Sequence, residues 1–312
     1  MPWTSEDAPD QGGKLVVITG ANSGLGLEST RMLAAKGATV VMACRNVEKG
    51  AQAAASVRTR VPTAQLEVMA LDLGSLASVE AFAAALASKH PRVDVLMNNA
   101  GVMVPPFTKT ADGFELQLGT NHLGHFALTA RVLPLLEAAP SPRVVNTSSN
   151  AHKFGRIRFD DLQSAKGYAK WPAYGQSKLA NLLFTYELER RLRTAGRKTI
   201  SVAAHPGYAA TNLQTAGAKL EGSSFGEALM KVGNALLAQS AERGALPQVY
   251  AAVHPDVQGG QYFGPDGLLE MAGFPRVVQS NAASRDEAVA QRLWQVSEEL
   301  TKVSFALGSP PA

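Results

Sequence analysis

The sequence holds a single cysteine, Cys44, in 312 residues. Neither an intramolecular disulfide nor a cysteine-based metal cluster can therefore form within the chain. Its six histidines never fall into an HExxH pattern. "HLGH" puts His122 and His125 at a spacing that could ligate a metal from one helix, but no third or fourth ligand accompanies them, and no metal is expected. No stretch reaches the roughly 20 consecutive apolar residues a membrane-spanning helix needs. The opening "MPWTSEDAPDQGGK" is polar and acidic, without the basic and apolar regions of a signal peptide, which makes the cytoplasm the expected compartment. Charge of one sign is also scarce, at a formal +4. The basic cluster "ELERRLRTAGRK" falls at a helix C-terminus, where the dipole favours cations, and no basic stripe with interleaved aromatics is present for nucleic acid.

What is there is a rhythm. Residues 1–13 read as a disordered head. Then "KLVVIT" (14–19), "ATVVMAC" (38–44), "QLEVMAL" (65–71), "VDVLMN" (93–98), "RVVNTSS" (143–149) and "TISVAAH" (199–205) are short apolar runs rich in β-branched residues. Such runs are the pattern of strands buried on both faces. Helical segments separate them, including a long helical region over roughly 112–138 and a helix from about 173 to 195. Strands alternating with helices mean βαβ crossovers, a parallel sheet and helices on both sides. The expected fold is α/β, one doubly wound Rossmann-type sheet of about seven strands in a single domain, with "GGQYFG" as the last strand. Residues 212–240 break the rhythm and read as a substrate loop or lid, and 284–304 as a closing amphipathic helix.

Two features carry chemistry. "TGANSGLG" places Gly20, Gly24 and Gly26 between the first strand and the first helix, where a tight turn and a helix N-terminus together make an anion site for a dinucleotide pyrophosphate. After the second strand, where an NAD binder would carry a carboxylate for the ribose 2′-hydroxyl, the chain has Arg45. A guanidinium matches a 2′-phosphate, so NADP(H) is favoured over NAD(H). In "YGQSKLAN" (174–181) Tyr174 and Lys178 stand four apart on one helix face. An ammonium beside a phenol stabilises the phenolate, lowering the tyrosine's pKa and making it an acid–base group usable near neutrality. Cys44 reads as a small strand-end residue and not as a nucleophile.

"TGANSGLG", "LDL" (71–73), "NNAG" (98–101), "NHLGHF" (121–126), "SS" (148–149), "YGQSK" (174–178) and "HPGYAAT" (205–211) stand in the order seen in the short-chain dehydrogenases/reductases, and the chain resembles the retinol-dehydrogenase-like subgroup. The resemblance is strong over 14–211 and loose beyond. It implies Tyr174 as general acid/base, Lys178 as the residue that lowers its pKa and holds the nicotinamide ribose, and Ser149 as the hydrogen-bond donor to the substrate oxygen. Asn121, in a helix interrupted by Gly124, would support a water leading to Lys178. The cofactor would lie on Gly20, Asn22, Ser23, Gly24, Leu25, Gly26 and Arg45, then on Asp72 and Leu73 beside adenine. Asn99, Ala100 and Gly101 follow on the adenosine side, and Pro206, Gly207 and Thr211 at the nicotinamide end.

The substrate is expected to be a small apolar carbonyl/alcohol pair, lined by Met103, Val104, Trp171, Tyr208 and Leu213, with Phe225 and Met230 from the following segment. Two other readings compete: a non-catalytic NADP(H) sensor or scaffold on the same fold, and a sugar-nucleotide epimerase or dehydratase. The second lacks its GxxGxxG turn and its larger substrate domain. Light-dependent protochlorophyllide reductases share several motifs but use additional cysteines absent here. The oligomeric state is open in the sequence; the resemblance adds that long helices flanking the site commonly form dimer contacts in this family, so a homodimer is one possible assembly.

Overall fold

The computed structural model describes residues 2–208 and 239–307. The six predicted apolar runs form strands β1 (Leu15–Thr19), β2 (Thr39–Cys44), β3 (Gln65–Ala70), β4 (Val95–Asn98), β5 (Arg143–Thr147) and β6 (Ile200–Ala204). They are followed by β7 (Tyr262–Pro265) and β8 (Pro275–Val277), so the sheet has eight strands where about seven were expected. Its order is β3-β2-β1-β4-β5-β6-β7-β8. Every pairing is parallel except β7 with β8. The unforeseen eighth strand is "PRV", a short, largely exposed edge without alternation; a proline is tolerated there because an edge strand can spare a ladder donor.

Helices α1 (Gly24–Ala35), α2 (Val47–Arg60) and α3 (Leu76–Lys89) cover the first half. The region expected as one helix over 112–138 divides into a short turn α4 (Leu116–Leu118), a π-turn over Gly119–Leu123, and α5 (Gly124–Glu137). The interruption expected at Gly124 therefore lies one turn earlier. Gly124 instead permits close approach: a Cβ there would stand 2.3 Å from the Leu73 carbonyl oxygen. Then come α6 (Lys170–Thr194), α7 (Ala241–Val253) and α8 (Glu287–Thr301). One face of the sheet buries β1 and β2 residues against α1, α2 and α7. The other buries them against α3, α5, α6 and α8, and includes an aromatic cluster of Phe126, Phe184, Trp294 and Phe305.

The head is not disordered. A Thr4 capping box starts a 3-10 turn over Ser5–Asp7. The Trp3 ring meets Tyr250 of α7 edge-on at 5.1 Å, and the buried Gln11 bonds through its N–H to the Lys36 carbonyl at 2.7 Å. Polarity suggested a free tail; one tryptophan and a set of local caps fix it instead. Among the described residues no helix is long and apolar enough to cross a membrane. Thr211, Leu213, Phe225 and Met230 lie outside the described residues.

Candidate active site

The strand order reverses direction between β1 and β4, and in such sheets ligands bind outside the strand ends at that point. The glycine turn sits there. Gly20 has φ +67° and Gly24 φ +54°, left-handed values that glycine adopts without strain. A Cβ on Gly26 would lie 2.4 Å from the Gly20 carbonyl oxygen and 2.6 Å from Asn99 Nδ2, so only glycine lets α1 start this close to β4. Ser23 occupies the N-cap of α1 without a side-chain cap, leaving the first-turn N–H groups unspent on any side chain and suited to an anion. The residues present thus fit a dinucleotide: a turn that admits a pyrophosphate, at an uncapped helix start.

The walls of this cleft are tied together by groups the sequence reading missed. Thr19 Oγ1 accepts from the backbone N–H of Asn99 (3.0 Å) and Ala100 (2.9 Å), while Asn99 Nδ2 donates to the Thr19 carbonyl at 2.8 Å. Gln248, from α7, donates to Asn99 Oδ1 (3.1 Å), Ser29 Oγ (2.7 Å) and, at 3.4 Å, the carbonyl of Leu25. Thr19 directly precedes the first glycine and could have been read with it. Gln248 lies 149 residues from Asn99, and no local signal announces it. Asp72 closes its own turn by accepting from Gly74 N–H at 2.9 Å, and Leu73 is buried in the core against Gly124. Arg45 is exposed just past the end of β2. Beneath the turn, burial pushes the Cys44 thiol up to about 11, against the pull of the Ala21 and Asn22 N–H groups. A thiol so placed is inert at neutral pH.

The proposed catalytic residues converge. Tyr174 and Lys178 project from α6; the Lys178 ammonium lies 5.7 Å from the centre of the Tyr174 ring and donates to the Thr147 carbonyl at 3.2 Å. Ser149 follows β5, and its hydroxyl acts on the Tyr174 phenol, favouring the phenolate. Ser148 donates to the Lys178 carbonyl at 2.9 Å, fixing this stretch of α6 against β5. Burial pushes the Tyr174 phenol up to about 12, with the Ser149 hydroxyl pulling it back, and brings Lys178 down to about 8. The direction at Tyr174 is opposite to the one expected from its lysine: at full burial the cost of desolvating a phenolate outweighs other influences.

Asn121 lies on the π-turn. Its side chain bridges the Val102 backbone, accepting at 2.8 Å and donating at 2.9 Å, and its Nδ2 also reaches Ser177 Oγ at 2.9 Å. Gly101 separates it from Lys178: a Cβ there would stand 3.1 Å from Asn121 Oδ1 and 3.6 Å from Lys178 Nζ. The Asn121 carbonyl is met by His125 Nδ1 at 3.0 Å, and His125 Nε2 lies 2.9 Å from Thr19 Oγ1. His125 therefore joins the π-turn to the glycine turn, and burial, with a smaller push from Lys178, holds its pKa near 4, so it stays neutral. His122 faces away, to Ser297 Oγ at 2.9 Å. The pair considered as metal ligands serves two separate packing contacts.

At the other end of the cleft, Gly207 (φ +66°) follows β6, and the Pro206 carbonyl accepts from Gln239 Nε2 at 2.6 Å. Tyr208 N–H donates to the Met271 carbonyl at 2.7 Å. Met103, Val104 and Tyr208 are partly buried, while Trp171 is exposed at the mouth with its ring edge-on to Tyr174 at 6.2 Å.

A family profile described as short chain dehydrogenase matches residues 14–221. The chain belongs to the short-chain dehydrogenase family. Among similar members are human retinol dehydrogenase 12, 42% identical over 295 residues and covering 94% of this chain and 88% of that one. Mouse retinol dehydrogenase 14 is 42% identical over 303 residues, covering 93% and 86%. A crystal structure of an uncharacterized protein from Mycobacterium paratuberculosis is 44% identical, with a TM-score of 0.81 over 98% of this chain and 99% of that one. As a short-chain dehydrogenase, the protein is an oxidoreductase of alcohol and carbonyl groups that works with NAD(P).

Proposed function

We propose that this short-chain dehydrogenase is an NADP(H)-dependent enzyme that interconverts an apolar aldehyde or ketone and its alcohol, with Tyr174 as the general acid/base. The observation that carries the reading is the approach of the buried Lys178 ammonium to the buried Tyr174 ring, 5.7 Å from its centre. A protein that only sensed the nucleotide would gain nothing from burying that ammonium.

When bound, the nicotinamide supplies or accepts the hydride. The protein's part is the proton and the orientation. In reduction the substrate oxygen accepts from Ser149 and Tyr174, whose phenol, held protonated by burial, is the donor that a forming alkoxide needs. In oxidation Tyr174 must take a proton as phenolate, and the nearby ammonium of Lys178 favours that form. Gly20, Ser23, Gly24 and Gly26 would hold the pyrophosphate, and Arg45 a 2′-phosphate. The uncharged faces of Met103, Val104 and Trp171 suit an apolar substrate. Retinol dehydrogenases among the relatives make retinaldehyde a sensible member of a substrate panel.

The test is NADPH consumption with apolar aldehydes and ketones, wild type beside Tyr174→Phe. Loss of the general acid should cost on the order of 10²–10⁴ in rate with NADPH affinity retained. Turnover that survives the substitution would refute the assignment of the acid, and NADPH binding without turnover of any carbonyl in the wild type would favour the sensor.

A further inference from the structure

One buried amide outside the catalytic set spans the substrate cleft. Gln117, in α4, is fully buried, and its side chain uses every hydrogen-bonding direction of its amide group but one. Its Oε1 accepts from the backbone N–H of Val104 at 2.9 Å. Its Nε2 donates to Tyr168 Oη at 2.9 Å and to the Lys170 carbonyl at 3.0 Å. Tyr168 Oη in turn donates to the Pro105 carbonyl at 2.7 Å. Two acceptors on one side and an N–H on the other leave only one orientation for the amide. Gln117 is itself held: Glu115 accepts from the backbone N–H of Gln117 and of Leu118, both at 2.8 Å.

What it holds is informative. Val104 has φ +47°, a left-handed conformation that a β-branched residue rarely adopts and that persists only where the surroundings impose it. Lys170 opens α6, and the Gln117 amide donates to its carbonyl, tying the first residue of the helix to the segment after β4. Trp171 comes next, and Tyr174 one turn later. A single amide thus fixes the segment after β4 against the start of the helix bearing the proposed acid. It ties the Val104 backbone to the residue that precedes Trp171, and Val104 and Trp171 are both among the residues proposed to line the substrate.

We propose that Gln117, supported by Tyr168, is a positioning residue that sets the width of this cleft and so selects carbonyl substrates by the bulk of their apolar part. The proposal rests on the reductase reading above, because selection is expressed only through turnover. Gln117 touches no reacting atom. Its loss should leave the chemistry with a small substrate nearly intact and disturb the packing of a long one.

The experiment compares kcat and KM for decanal and butanal with NADPH in wild type, Gln117→Leu, Tyr168→Phe and Val104→Gly, with NADPH affinity followed by fluorescence and stability by thermal melting. Gln117→Leu should lower the decanal-to-butanal ratio of kcat/KM about tenfold, mostly through the KM for decanal, with NADPH affinity within about twofold of wild type. Tyr168→Phe should move the ratio the same way by less. Val104→Gly frees the strained position, since glycine adopts φ +47° at no steric cost. It should lower the ratio without the loss of melting temperature that a purely structural defect brings. If Gln117→Leu does not fold, the other two variants decide. An unchanged ratio, or equal losses for both aldehydes, would overturn the proposal while leaving the reductase reading intact. A wild type that binds NADPH but reduces no carbonyl would overturn both.

Discussion

Replacing Lys178 by methionine should make the cofactor-free protein more stable at neutral pH while abolishing its activity. Lys178 is 3% exposed, and burial lowers its pKa from the ordinary 10.5 to about 8. At about 1.4 kcal/mol per pKa unit, the folded state carries roughly 3 kcal/mol against the charged form. Methionine keeps the unbranched stem and removes the charge. The hydrogen bond to the Thr147 carbonyl is lost, but that oxygen still accepts from Asn181 Nδ2 at 3.0 Å, so a loss of about 1 kcal/mol is a fair allowance. The net gain is about 2 kcal/mol at pH 7, or about 3 °C in melting temperature for a chain of 312 residues. The pH dependence is specific. Between about 8 and 10.5 the unfolded chain binds the lysine proton and the folded protein does not, so raising pH through that window stabilises the wild type and leaves the variant alone. The variant's advantage should be full at pH 7 and become a deficit of about 1 kcal/mol near pH 10.5, where only the lost hydrogen bond remains. Thermal melts of both proteins across that range, beside NADPH oxidation assays, make the measurement. A variant that melts below the wild type at pH 7, by an amount that pH does not change, would refute the burial argument.

Gly26→Ala forces its Cβ onto the Gly20 carbonyl; it should cost about 1–3 kcal/mol in stability and weaken NADPH binding at least about tenfold, read by melting and fluorescence titration. Arg45→Glu should lower the NADPH-to-NADH ratio of kcat/KM by at least about tenfold, and an unchanged ratio would remove Arg45 from the 2′-phosphate. Phe184→Ala opens the aromatic cluster against Phe126 and Trp294; it should cost about 3–5 kcal/mol in a denaturant melt without changing the KM for a carbonyl substrate.

The sheet was legible because its central strands are buried on both faces and bounded by turns, while the edge strand β3 is only partly buried. β1 and β2 are fully or almost fully buried runs, and their apolar, β-branched sequences say so. The head was misread because its anchors are single residues: Trp3 finds Tyr250 across more than 240 positions, and nothing local in "MPWTSEDAPD" encodes that meeting. The break before α5 was misplaced for a related reason. Glycine at 124 suggested a helix breaker, whereas Gly124 is helical and serves the approach to Leu73; the π-turn before it depends on the Asn121 bridge to Val102, a contact between segments. The triplet proposed as catalytic could be picked out of the sequence because its motifs are local. The hydrogen bonds that set its geometry, from Thr19, Gln248, His125 and Gln117, could not, because each joins side chains whose partners are distant in sequence.

Three departures from ordinary folding rules lie close to the proposed active site. A buried lysine carrying a desolvation cost, a β-branched residue at φ +47° and a π-turn in place of an α-turn all lie on segments that meet around Tyr174, whereas β1 and β2 follow propensity and burial patterning throughout. Strain of this kind persists only where neighbouring contacts over-determine it. Here those contacts are identifiable: Ser148 and Asn181 around Lys178, Gln117 for Val104, and Val102 and Ser177 for Asn121. Apart from Asn181, which shares α6 with Lys178, each supporting group comes from a different segment than the residue it constrains. The site is therefore held by the whole fold and not by any one motif. A short sequence signature can name the tyrosine and lysine, but their geometry depends on contacts spread from Val102 to Asn181.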